Sequence, residues 1–219
     1  MKGVTALKYS KVPEATIRRL SRYSRCLEEL DQRRERVISS AQLANKCAVN
    51  AAQVRKDLAY FGEFGIRGVG YHVKDLLQDI KKILGLNKEW RMAVIGIGNL
   101  GSALLSYKDF LKQNYKIVAA FDINPPNVIG RVSEKLGKPV EVLHINRMKE
   151  VAKERKIEIG IIATPPEAAQ NVVDLLVEAE VRGILNFAPT HVAVPEGVMV
   201  KDVFFTTVLD NLAYLLSNM

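Results

Sequence analysis

Arg91-Met92-Ala93-Val94-Ile95-Gly96-Ile97-Gly98-Asn99-Leu100-Gly101 decides how this chain of 219 residues is read. The apolar run Met92–Ile95 suits a strand buried on both faces. It leads directly into Gly96-x-Gly98-x-x-Gly101. The first glycine allows a tight turn, the second lets a phosphate approach the backbone, and the third lets the following helix pack against the strand. A segment in helical register follows, then a second apolar run, Ile117–Phe121, which ends at Asp122, 21 residues beyond Gly101. A carboxylate at that interval accepts from both ribose hydroxyls of a dinucleotide and disfavours a 2′-phosphate, so the pattern points to NAD and NADH over their phosphorylated forms. The expected cofactor residues here are Gly96, Ile97, Gly98, Asn99, Leu100 and Gly101, with Asp122 and Ile123 on the ribose side. The alternative is a glycine-rich turn in an α/β domain that binds nothing.

Downstream, strand-like runs at Ile157–Ala163, Gly183–Phe187 and Val198–Phe205 alternate with helical patterns, which means βαβ units and a mostly parallel sheet. Ligands in such sheets sit beyond the carboxyl ends of strands. Thr164-Pro165-Pro166 and Asn186-Phe187-Ala188-Pro189 lie at such ends and are candidates to reach a nicotinamide; either also reads as a plain proline-terminated strand end. The last helix, about Thr207 to Asn218, is apolar around most of its circumference and needs cover that a monomer seldom offers. It reads as a dimer contact.

Upstream, residues 1–88 hold 18 Lys+Arg against 9 Asp+Glu, whereas residues 89–219 hold 14 against 15. All the net positive charge therefore precedes the glycine motif, which suggests a polyanion as partner of the first part alone. Pro13 fits a helix first turn, and Ile17, Leu20, Tyr23, Leu27 and Leu30 line one face of that helix. Arg19 and Arg25 lie among them as phosphate contacts or as a solvated face. Ser39 with Gln42 has capping-box spacing, and Asn50 with Gln53 repeats it after a short turn. Two short helices so joined describe a helix-turn-helix. Its second helix, with Val54, Leu58 and Phe61 inward, turns Gln53, Arg55, Lys56 and Tyr60 outward. Four glycines between Gly62 and Gly70 suit a hairpin tip, or wing, that presents Arg67 beside Gly68 to a minor groove. A further helix then closes at Gly85.

No apolar run approaches the ~18 residues of a membrane span, and Met1-Lys-Gly-Val-Thr lacks a signal-peptide core, so no membrane partner is expected. The two cysteines, Cys26 and Cys47, lack metal-ligand spacing. They suit a reducing, cytoplasmic setting and read as small core residues.

The run Arg19-Leu-Ser-Arg-Tyr23, Ser39-Ser40, Gln53-Val-Arg-Lys-Asp-Leu58, Phe61-Gly62, Gly65, Gly68-Val-Gly-Tyr71, Leu84-Gly85, the glycine motif, Phe121-Asp122 and Asn186-Phe187-Ala188-Pro189 resemble the redox-sensing transcriptional repressors of the Rex family over nearly the whole chain. The resemblance implies an α/β protein built as a homodimer. Residues 1–86 would form a winged helix-turn-helix DNA-binding domain, 87–205 a Rossmann-type parallel sheet domain for NAD(H), and 206–219 a domain-swapped helix. It implies repression through palindromic, inverted-repeat operator DNA that is held when NAD⁺ prevails and released when NADH binds. By position, Arg55, Lys56 and Tyr60 would enter the major groove, with Ser40, Arg67 and Gly68 also in the DNA set. Thr164, Pro165 and Phe187 would border the nicotinamide, joined by Asn186 and Phe205. The chain departs from the family at Phe204, where an aspartate is usual, and at Glu180, where a helix-ending glycine is usual.

Two other classes stay open at this level. An NAD-dependent dehydrogenase needs a proton donor, for which His191 is the sole candidate near the nicotinamide. A DNA-binding sensor of coenzyme A or ATP would share the layout but has less use for Asp122.

Overall fold

The computed structural model describes residues 12–107, 109–110, 114–129 and 141–218. They fall into two compact units that divide between Lys88 and Glu89.

In the first unit, α1 (Glu14–Gln32) is followed by β1 (Val37–Ile38), α2 (Ser40–Lys46), α3 (Ala51–Ala59), β2 (Tyr71–His72) and α4 (Val73–Ile83). Leu20, Tyr23, Leu27 and Leu30 of α1 are fully buried, as the three- and four-residue spacing requires, while Ile17 lies at the edge of that core. Pro13 is the N-cap of α1 and so stands one place outside the first turn. Helix α2 starts with a complete capping box: Ser39 Oγ accepts from Gln42 N–H and the Gln42 side chain accepts from Ser39 N–H. Asn50 caps α3 by accepting from Gln53 N–H. Here the reciprocal half of the box is missing, because the Gln53 side chain donates to Asp57 instead.

The wing differs from a simple hairpin. β2 pairs antiparallel with β1, ahead of α2, and only the Ile66–Gly70 bridge links the two sides of the glycine-rich segment itself. Ile66 O accepts from Val69 N–H, closing a turn around Arg67 and Gly68. Gly68 has φ +83 at the third turn position, a value that the glycine supplies without steric cost.

The second unit contains β3 (Trp90–Ile95), α5 (Asn99–Leu105), β4 (Tyr115–Asp122), β5 (Leu143–His144), α6 (Met148–Arg155), β6 (Ile159–Ile162), α7 (Pro166–Glu178), β7 (Gly183–Asn186), β8 (Met199–Asp202) and α8 (Phe205–Ser217). Among the described residues its six strands are all parallel, in the order β5-β4-β3-β6-β7-β8. This is the doubly wound dinucleotide-fold order, with its switch point at the carboxyl end of β3. Ala93 and Ile95 pack into the hydrophobic cluster on one face, Met92 and Val94 into the cluster on the other. That is why the strand reads as a continuous apolar run.

Three strands are shorter than their apolar patterns; β7 stops at Asn186, one residue before Phe187. Ile157 is buried before β6 begins, where Lys156 turns the chain out of α6 at φ +51. Val203 and Phe204 lie beyond β8, and Phe205, expected in the strand, is the first residue of α8. No helix among the described residues is long and apolar enough to cross a membrane.

Candidate functional site

Backbone hydrogen bonds tie the carboxyl ends of the second unit's strands into one edge. Gly96 N–H donates to Phe121 O (2.9 Å), Ala163 N–H to Ile95 O (2.8 Å), Phe187 N–H to Ile162 O (2.9 Å) and Val203 N–H to Asn186 O (2.8 Å). The loops that follow β3, β6, β7 and β8 therefore stand side by side along one edge of the sheet, with the switch point between β3 and β6.

Gly96 turns at φ +87, and a Cβ there would lie 2.8 Å from Ala163 O and from Thr164 Cγ2. A Cβ on Gly101 would run into the Gly96 carbonyl oxygen. Above Gly98, in contrast, there is open space. Gly98, the N-cap of α5, and Asn99 are exposed, Leu100 is half-buried, and Ile97 is fully buried under the turn. The loop thus keeps two glycines for its own folding and leaves the third bare for an incoming group. First-turn N–H groups have no partner within their helix, so this cradle suits an anion.

Asp122 ends β4 beside the cradle. Its Oδ2 accepts from Ile97 N–H (2.8 Å) and its Oδ1 from Asn124 N–H (2.9 Å). A carboxylate has about four lone-pair sites, so acceptor capacity remains on both oxygens for a ribose diol. Ile123, 75% exposed, offers an apolar surface next to it. Across the turn, Thr164 Oγ1 is buried with no hydrogen-bond partner, a polar group of the kind that a ligand satisfies. Pro165 caps α7. Phe187 and Phe205 approach to 6.2 Å between ring centroids. The residues present therefore fit a dinucleotide.

Asn186 does a different job from the one expected. It is fully buried; its Nδ2 donates to Thr190 O and to Asp202 Oδ1 (both 2.8 Å), while its Oδ1 accepts from Ala188 N–H (3.0 Å). The amide shapes the loop that carries Phe187 and has little capacity left for a ligand. The sequence reading missed Asp202, whose Oδ2 meets His191 Nδ1 at 3.1 Å. Its signal was faint: one acid at the end of an edge strand.

In the first unit, Ser40, Arg55, Arg67 and Gly68 line one groove between the helix pair and the wing. Arg55 donates to Ser40 Oγ (2.8 Å), which ties the guanidinium to the first residue of α2. Lys56 and Arg25 are exposed and Tyr60 is half-buried. Arg19 is not a free phosphate contact. Its guanidinium grips Asp57 twice, Nε to Oδ2 at 2.6 Å and Nη2 to Oδ1 at 2.7 Å. Thr16, Tyr23 and Gln53 also donate to Asp57, which is fully buried. Arg19 is therefore committed to bracing α3 against α1, and Gln53 to holding Asp57 in place within α3. Burial alone would raise the Asp57 pKa, but the hydrogen bonds from Arg19, Tyr23 and Gln53 outweigh it and hold the carboxyl below its ordinary value. An acid in an otherwise basic helix was the available clue.

A winged helix-turn-helix and a doubly wound sheet with a glycine cradle and a ribose-side acid, in one chain, define a DNA-binding regulator controlled by a nucleotide. Residues 11–59 match a family model described as the N-terminus of a putative DNA-binding protein, and residues 87–190 match one described as a CoA binding domain. A redox-sensing transcriptional repressor Rex from Syntrophobacter fumaroxidans is 50% identical, covering 96% of this chain and 99% of its own. Another from Carboxydothermus hydrogenoformans is 51% identical, covering 95% and 98%. A crystal structure of RSP in complex with β-NAD⁺ and operator DNA superimposes with TM-score 0.85 at 37% identity, over 99% of this chain and 94% of that one. RSP in complex with β-NADH gives 0.81 at 37% identity, over 95% of each chain. The chain belongs to the Rex family of redox-sensing transcriptional repressors.

Proposed function

We propose that this protein is an NADH/NAD⁺-responsive repressor that binds inverted-repeat operator DNA as a homodimer and releases it when NADH binds. The observation that carries this reading is the Gly96–Gly101 cradle with Asp122 at the switch point, in a chain whose other unit is a basic winged helix. The protein works by binding rather than turnover, in the cytoplasm. Its relatives bear the name of repressors.

NAD⁺ and NADH share their phosphates and riboses, and they differ in charge and planarity at the nicotinamide. Contacts at that ring alone can tell them apart. Phe187 and Phe205, with the Thr164-Pro165 loop, form the apolar wall. Such a wall disfavours an unpaired cation. Arg55, Lys56 and Tyr60 face the major groove, and Arg67 reaches from the wing. The apolar α8, exchanged between subunits, holds the dimer. By linkage, operator DNA weakens NADH binding by the same factor as NADH weakens operator binding.

Calorimetry with NADH, NAD⁺, NADPH, coenzyme A and ATP tests the ligand. NADH is expected to bind tightest and NADPH weakly; tighter coenzyme A binding would overturn the assignment. A gel shift on an A·T-rich inverted repeat, titrated with NADH at fixed NAD⁺, tests the switch: release is expected, and indifference would refute it.

A further inference from the structure

The two cysteines of the chain, 21 residues apart in sequence, meet in the first unit. Cys47 Sγ lies 2.9 Å from Cys26 Sγ. Cys26 sits on α1 and is half-buried. Cys47 is 1% exposed and caps α2, so it opens the turn of the helix-turn-helix. Its N–H donates to Leu43 O and Ala44 O, and its carbonyl accepts from Arg22 Nη1 at 3.1 Å, so that turn already leans on α1. Neither thiol belongs to the residue sets proposed above for nucleotide or DNA binding.

We infer that Cys26 and Cys47 form an oxidisable dithiol, which a hydroperoxide closes into a disulfide stapling the helix-turn-helix turn to α1. The accessible Cys26, as thiolate, attacks a peroxide oxygen. The O–O bond breaks, water or an alcohol leaves, and Cys26 becomes a sulfenic acid. Cys47 then attacks the Cys26 sulfur, the S–O bond breaks, and a second water carries off the hydroxyl with the Cys47 proton. Two thiols lose two hydrogens and one peroxide is reduced. The order of attack follows from the surroundings. Burial, then the hydrogen bond to Cys26, pushes the Cys47 thiol up to about 12, with Arg22 opposing and Glu29 reinforcing the rise. Cys47 therefore stays protonated and sheltered until the sulfenic acid forms beside it. The sulfurs must close from 2.9 Å to about 2.05 Å, a distance that side-chain rotation covers.

The test uses the reduced, full-length protein treated with hydrogen peroxide. Maleimide labelling under denaturing conditions is expected to show both thiols lost together. Intact mass should fall by two hydrogens, a peptide map should join Cys26 to Cys47, and dithiothreitol should reverse all of this. The rate should not depend on protein concentration. Amide exchange should show the first unit's melting midpoint raised by on the order of 10 °C, as closing a loop of this length implies. In C47S, a dimedone adduct should accumulate on Cys26; in C26S, Cys47 should remain unmodified. Two labelable thiols after treatment, a crosslink between chains, or Cys26 over-oxidised with Cys47 still free would each overturn the inference.

Discussion

Asp57 shows how much one residue can organise. Five hydrogen bonds from four side chains on α1 and α3 converge on its carboxylate. Replacing it with alanine leaves the Tyr23 and Thr16 hydroxyls buried without an acceptor. Asp57→Ala is expected to destabilise the first unit by about 3 kcal/mol. Because the lone tryptophan, Trp90, lies in the other unit, amide exchange of α1 and α3 is the appropriate readout. The lowered folded pKa sets the sign of the pH dependence. The stabilisation is complete above the unfolded carboxylate value of about 4 and fades as pH falls through the lower folded value. The gap between wild type and D57A should therefore close in acid. The glycine cradle makes a second prediction at this scale. Gly98→Ala, with open space for its methyl, should leave the melting curve unchanged and weaken NADH at least tenfold in calorimetry, a loss of about 1.4 kcal/mol. Gly101→Ala, which meets the Gly96 carbonyl, should lower stability as well.

At the scale of the element, the wing owes its shape to its turn. With Gly68 at φ +83, Arg67 stands at the exposed corner. If it meets phosphate, Arg67→Ala weakens operator binding evenly across sequences and lowers the salt slope by about one; loss of A·T preference instead would put the side chain in the minor groove. Glu180, the residue just past the Ala179 cap of helix α7, turns at φ +61, a conformation that glycine adopts freely. Glu180→Gly should raise the second unit's stability by roughly 0.5–1 kcal/mol in thermal or urea unfolding, since relief of left-handed strain exceeds the added chain entropy.

For the whole molecule, the decisive surface is α8. Val208, Leu209, Leu212, Leu215 and Leu216 are each at least half exposed in the single chain. An apolar surface of that extent calls for a partner. Replacing Leu212 and Leu215 together with aspartate should turn the dimer into monomers in sedimentation and abolish tight operator binding. A palindrome engages two recognition helices about 34 Å apart, and a monomer supplies one. A variant that remained dimeric would place the subunit contact elsewhere.

The sequence by itself determined the local and periodic features. The Ser39 cap, the buried β3 run, the glycine turn and the interval to Asp122 are set by spacing along a few residues of chain, and all are present as read. Only the tertiary structure decided what depends on groups far apart in sequence. Arg19 looked like a free cation until Asp57, 38 residues on, claimed it. Asn186 looked like a ligand group until Asp202 and Thr190 satisfied it. The β1–β2 pairing, and the meeting of Cys26 with Cys47, likewise join segments with no shared local pattern. A polar side chain's role is set by which partner reaches it first, and that depends on packing between elements rather than on periodicity along one.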